Sequence, residues 1–243
     1  MNRLALPVLI FLTLLQSLPA AEPVKDLTWQ NGTKVLVVGG GTSHDFKKWF
    51  GGEDVATLRT GENRSVNYTE SSAIAARHLT NVDVLVFSAD QKGFDTPDFR
   101  TALMAFAEAG KGIVLLHSGL GYNWLWPEYN TGLAGGGARS HDPVQEFEVN
   151  LVQEHPVTRG LPRMFRVTDE LYHVLLDPAG PPVEILLQTS AAQATKNEHP
   201  SVWLVKHARS RIVCVALGHD GRVHELPEYK QLLRQAVDWV AEK

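Results

Sequence analysis

DTPDFRTALMAFAEAGKGIVLLHSG, residues 95–119, reads as a capped helix running into a buried strand. Asp95 or Thr96 supplies the N-cap, Pro97 takes the first helical position, and Gly110 stops the helix. Between them Phe99, Leu103, Phe106 and Ala107 fall on one face. GIVLLH, residues 112–117, is then continuously apolar up to its histidine. A strand without polar alternation is covered on both faces, as in a parallel sheet flanked by helices.

The surrounding chain repeats the unit. Lys34 to Val38 (KVLVV) is a buried strand ending in Gly39-Gly40-Gly41, and Val82 to Ser88 (VDVLVFS) is a second. Ser71 or Ser72 caps a helix through His78. Asp45 to Phe50 opens another that Gly51-Gly52 should end. Gly119 to Gly137 is long, aromatic and loop-like. Glu146 to Val152 alternates as a half-exposed strand. Val183 to Thr189, Ser201 to Lys206 and Arg211 to Leu217 are further strands, the last two antiparallel across Ala208-Arg209-Ser210. Pro227 to Glu242 is a closing amphipathic helix. The pattern predicts an α/β fold around a mostly parallel sheet.

The start of the chain reads differently. Met1-Asn2-Arg3, the apolar run Leu4 to Leu15 and the small residues to Ala21 have the layout of a signal peptide over residues 1–21. The run is about a dozen residues against the roughly 20 of a membrane span. The sequence therefore predicts an exported protein, periplasmic or extracellular, without a stable membrane anchor. Residues 22–243 would form one domain. Net charge is −4 with no basic patch, which argues against nucleic-acid binding. Cys214 is the single cysteine and sits in an apolar run, so it reads as a buried small hydrophobe.

Ligands of open α/β sheets bind beyond the carboxyl ends of the strands. Three strand ends deliver a histidine there: Ser43-His44-Asp45, His117-Ser118-Gly119 and Gly218-His219-Asp220. His44, His117 and His219 are thus the first candidates, with Asp220 as support. Ser118 is a poor nucleophile candidate, because an elbow wants glycine two residues earlier and Leu116 stands there. Asp169-Glu170 precedes Tyr172-His173 and is suited to orienting an imidazole, or to forming a solvated turn. His141 closes the aromatic loop. Within that loop Tyr122, Trp124, Trp126 and Tyr129 could stack on a sugar ring or simply pack.

GGGTSHDF, GKGIVLLHSGLGYNWLWPEY, HPVTRGLP, DELYHV and HPSVWLVKHARSRIVCVALGHD, in this order, resemble the ThuA-like (trehalose utilisation) family from about Lys34 to the C-terminus. The resemblance implies a flavodoxin-like three-layer sandwich similar to class I glutamine amidotransferases. It also implies family positions at His44, Asp45, His117, Asp169, Glu170, Tyr172, Gly218, His219 and Asp220, with His141 beside them. In the amidotransferases a cysteine occupies the elbow; here His117 stands in its place, so thiolate glutamine hydrolysis has no nucleophile. Family members are linked to breakdown of trehalose-type disaccharides through 3-keto sugars.

Three readings follow. The first is an enzyme acting on a sugar or keto-sugar, of lyase, hydrolase or isomerase type. His117 and His219 would serve as acid and base, His44 would stand beside them, and Asp220 and Glu170 would orient them. Asp45, Tyr122, Trp124, Tyr172 and His141 would contact the substrate. The second makes His44, His117 and His219 ligands of a divalent metal such as Zn²⁺. The third is a non-catalytic carbohydrate-binding protein.

Overall fold

A computed structural model describes residues 26–60, 63–122, 125–189 and 198–242. The expected leader and Trp124 lie outside them. Eleven strands are present among the described residues: β1 (Thr33–Gly40), β2 (Arg64–Thr69), β3 (Val84–Ala89), β4 (Gly112–Leu116), β5 (Gly136–His141), β6 (Gln145–Leu151), β7 (Met164–Asp169), β8 (Tyr172–Leu176), β9 (Val183–Thr189), β10 (Pro200–Val205) and β11 (Ile212–Val215). Nine form one sheet in the order β2-β1-β3-β4-β11-β10-β9-β6-β7, and β5 pairs with β8 in a small second sheet.

The half from β2 to β11 is parallel. The half from β10 to β7 continues it with antiparallel pairs. Directions alternate across those pairs, so β7 again points the same way as β11. The carboxyl ends of β1, β3, β4, β7 and β11 therefore meet one edge of the sheet.

Unbroken apolar strands work here because both faces are covered. Val114 and Leu116 of β4 face the core under the C-terminal helix Pro227–Ala241, with Leu232, Leu233, Ala236 and Val237. Ile113 and Leu115 face the other core, with Phe99, Leu103 and Phe106 of the helix Pro97–Glu108. The result is the expected three-layer sandwich. Thr96 caps the Pro97 helix, its Oγ1 accepting the Phe99 N–H at 3.4 Å. Asp95 instead pairs with Arg100. Leu103 is fully buried; its truncation to alanine would cost about 2–5 kcal/mol.

The structure departs from the sequence reading in places. The glycine pair at 51–52 does not end its helix. The chain passes through a π-helical turn, Trp49–Asp54, into the helix Val55–Arg59. Gly51 is needed for packing: a Cβ there would sit 2.7 Å from Cε1 of Tyr68. Within the 119–137 stretch, Tyr129–Ala134 forms a π-helical turn. Trp126 and Tyr129 are buried in the second core, so for them packing wins over sugar stacking.

Candidate functional site

Each histidine found at a strand end arrives by a different local device. β4 ends at Leu116, and His117 then adopts φ +35°, a left-handed backbone that a non-glycine residue rarely takes. The sharp turn gives the residue its elbow position. Gly218, after β11, has φ +141°, and a Cβ on it would lie 3.2 Å from Cβ of His117. Glycine there lets the two strand ends approach each other. His44 follows the glycine turn after β1.

The three rings converge. His44 packs edge-on against both His117 and His219, with 4.8 Å between ring centroids in each case. Nε2 of His44 and Nε2 of His117 lie 3.1 Å apart. Glu170, just past the end of β7, completes the group. Its Oε2 is 3.4 Å from His117 Nε2 and 3.8 Å from His44 Nε2. Its Oε1 is 3.4 Å from His219 Nδ1. One donor atom from each of these four residues lies within 4.8 Å of the others.

The remaining ring atoms fix the tautomers. His117 Nδ1 is 2.8 Å from the carbonyl of Ala216, so that nitrogen carries a proton and donates it. Ser43 Oγ donates its single proton to Asp90. It must therefore accept from His44 Nδ1, 2.7 Å away, with Ser118 Oγ sharing that contact at 2.9 Å. Both rings thus turn Nε2 toward the cluster. His219 Nδ1 is buried and makes no hydrogen bond to any described group.

Electrostatics follow from this crowding. Burial, then the neighbouring His117 and His219, push the His44 imidazole down to about 4, against the pull of Glu170 and Asp90. Burial alone would raise the Glu170 carboxyl. Its contact with His117 Nε2 and the nearby His117, His219 and His141 outweigh that and hold it at about 2.

Other predicted residues divide. Tyr172 stacks on His117, 4.4 Å between centroids at 25°. His141 pairs across the small sheet with Tyr172 and brings Nδ1 to 3.6 Å from Glu170 Oε1. Asp220 does not reach the cluster: its carboxylate caps the short helix after it and pairs with Arg222. Asp45 likewise caps a helical turn, accepting from the Lys48 N–H. Tyr122 lies under the Arg139 guanidinium, 3.2 Å from the ring centroid.

Two carboxylates that the sequence reading left without this role hold the site. Asp90 directly follows β3, so the strand-end rule should have found it. Besides Ser43 Oγ, it accepts the backbone N–H groups of Thr42 and Ser43 at 2.7 and 3.1 Å. Asp169, fully buried, accepts the N–H groups of Gly218, His219 and Glu170 at 2.9, 3.0 and 2.9 Å. One buried side chain thereby ties the His219 loop to Glu170.

A cleft of about 420 Å³ opens above the cluster, lined among others by His44, Asp90, Ser118, His141, Glu170 and Tyr172. His117 and His219 stand behind that lining.

Solved structures share this fold. A ThuA-like protein from Parabacteroides merdae ATCC 43184 superposes with a TM-score of 0.74 at 19% identity, covering 86% of this chain and 90% of its own. One from Bacteroides uniformis ATCC 8492 gives 0.71 at 21%, covering 92% and 95%. A glutamine amidotransferase from Thermotoga maritima gives 0.55 at 12%, covering 88% and 100%. No curated protein matches the chain. The trehalose-utilisation family profile matches residues 34–240, nearly the whole described length. The chain belongs to the ThuA (trehalose utilisation) family.

Proposed function

We propose that this chain is an exported enzyme of trehalose-type disaccharide and keto-sugar catabolism, with its reaction centre at His44, His117, Glu170 and His219. One observation carries the reading: four residues remote in sequence converge at an open cleft, two of them in its lining. A fully buried histidine packed against two partly buried ones and a carboxylate is costly to assemble, and such groups cluster at functional sites. The lining offers hydroxyl, imidazole and carboxylate groups suited to a polyol. Membership of the trehalose-utilisation family supports the substrate class.

The chemistry this site suits is proton transfer beside a ketone. A base removes the proton on the carbon next to the carbonyl, and the bond pair moves onto the carbonyl oxygen as an enolate. Returning a proton to the enolate completes an isomerisation. Loss of a glycosyl alkoxide, protonated as it leaves, completes an elimination. His141 borders the cleft directly and is placed for these transfers, and Glu170, held ionised beside it, supplies the negative charge the imidazoles face. His117, fully buried behind them, holds the geometry.

A screen of disaccharides and their 3-keto forms tests the reading. Wild-type protein should convert the keto-sugars, and a folded His117→Ala variant should not. Tight binding of unmodified sugars with no conversion of keto-sugars would instead identify a carbohydrate-binding protein.

A further inference from the structure

We infer that His44, His117, His219 and Glu170 together hold a divalent first-row transition-metal ion, with zinc as the reference case. The inference deepens the reading of this cluster as the reaction centre. Its test reads metal and not turnover, so either can fail alone.

His117 Nδ1 is committed as a donor to Ala216, and His44 Nδ1 to Ser43 and Ser118. Their Nε2 atoms nevertheless point at each other across 3.1 Å. With both lone pairs facing, that contact is repulsive unless a cation or proton lies between them. One proton on His117 could join the pair. It would leave His219 Nδ1 buried without a hydrogen bond, its ring against His44 and its nearest partner the Glu170 Oε1 at 3.4 Å. A single metal ion satisfies all three nitrogens and the carboxylate at once.

The spacing fits. Zinc bonds of about 2.0–2.1 Å in a tetrahedron place neighbouring donors roughly 3.3 Å apart. The donor separations of 3.1, 3.4 and 3.8 Å among His44, His117 and Glu170 Oε2 bracket that figure. Three imidazoles and one carboxylate suit a borderline ion such as zinc, not magnesium or calcium, which favour all-oxygen sites. The supports are also those of a metal site. Ala216 orients His117, the Asp90–Ser43 pair orients His44, and Asp169 anchors the backbone of His219. His44 and Glu170 border the cleft, so a ketone or hydroxyl oxygen of a bound sugar could approach the ion.

Tag-free protein purified without chelator, then stripped, is titrated with Co²⁺ by visible absorption and with Zn²⁺ by calorimetry. One equivalent of each ion should bind per chain. His219→Ala, whose ring is the most exposed of the three, should weaken binding by at least about a hundred-fold while retaining the wild-type circular dichroism. Glu170→Gln serves the same purpose if that variant fails to fold. His207→Ala, outside the cluster, should bind as wild type does. Folded wild-type protein that takes up neither ion at micromolar concentration would overturn the inference. So would undiminished binding by a folded cluster variant, and the site would then be a proton-bridged histidine pair.

Discussion

Nε2 of His44 and Nε2 of His117 lie 3.1 Å apart, while the other nitrogen of each ring is already committed as a donor. The contact joins the ends of β1 and β4, separated by 73 residues. Asp90 controls one side of it. Its carboxylate takes the Ser43 proton and so obliges Ser43 to accept from His44. Asp90→Asn would let the amide donate to Ser43 Oγ and release that constraint. Turnover should fall about 10–100-fold, the usual loss when a group orienting a site histidine is removed. The melting temperature should move little. Steady-state kinetics and a thermal scan check both halves.

Asp169 should matter to stability as well as to the site. Three backbone N–H groups converge on its buried carboxylate. Asp169→Ala leaves them without an acceptor, at about 1–3 kcal/mol for each that water cannot reach. Urea unfolding should show a loss of at least about 3 kcal/mol. A loss below 1 kcal/mol would mean that the loop relaxes without this anchor.

Acid stability should depend on Asp83, at the opposite edge of the sheet. Partial burial would raise its carboxyl. The Lys34 N–H and the Lys111 ammonium, each 3.0 Å away, outweigh that and hold it below the usual carboxylate value. A carboxyl depressed on folding stabilises the protein above its unfolded value of about 3.9. That contribution is lost as pH falls through the folded value. The melting-temperature gap between wild type and Asp83→Asn should therefore be open at neutral pH and shrink below about pH 4.

Much of this was legible because the informative residues are local. Thr96, Pro97 and Gly110 punctuate one helix, and continuous apolar runs mark the parallel strands. Placing ligands at strand ends then led to His44, His117 and His219. Asp90 obeys the same rule but follows a strand whose observed end, Ala89, lies one residue past the expected Ser88. Asp220 is adjacent to His219 in sequence, yet the helix it caps turns its carboxylate to Arg222. The sheet of β5 and β8 was hidden because Gly136 and Gly137 mask any alternation, and its partners lie 31 to 40 residues apart. That sheet brings His141 to the rim. Gly51-Gly52 read as a stop because spacing cannot reveal the Tyr68 ring against Gly51.

The central claim is that the four converging residues are the working site. The most direct measurement is the rate of 3-keto-disaccharide conversion by Glu170→Gln beside wild type, at equal folded concentration. Glutamine keeps the shape and removes the charge that His44, His117 and His219 surround. The account predicts a loss of at least about a hundred-fold, as for removal of a preorganised charge at a reaction centre. Conversion at the wild-type rate would contradict it.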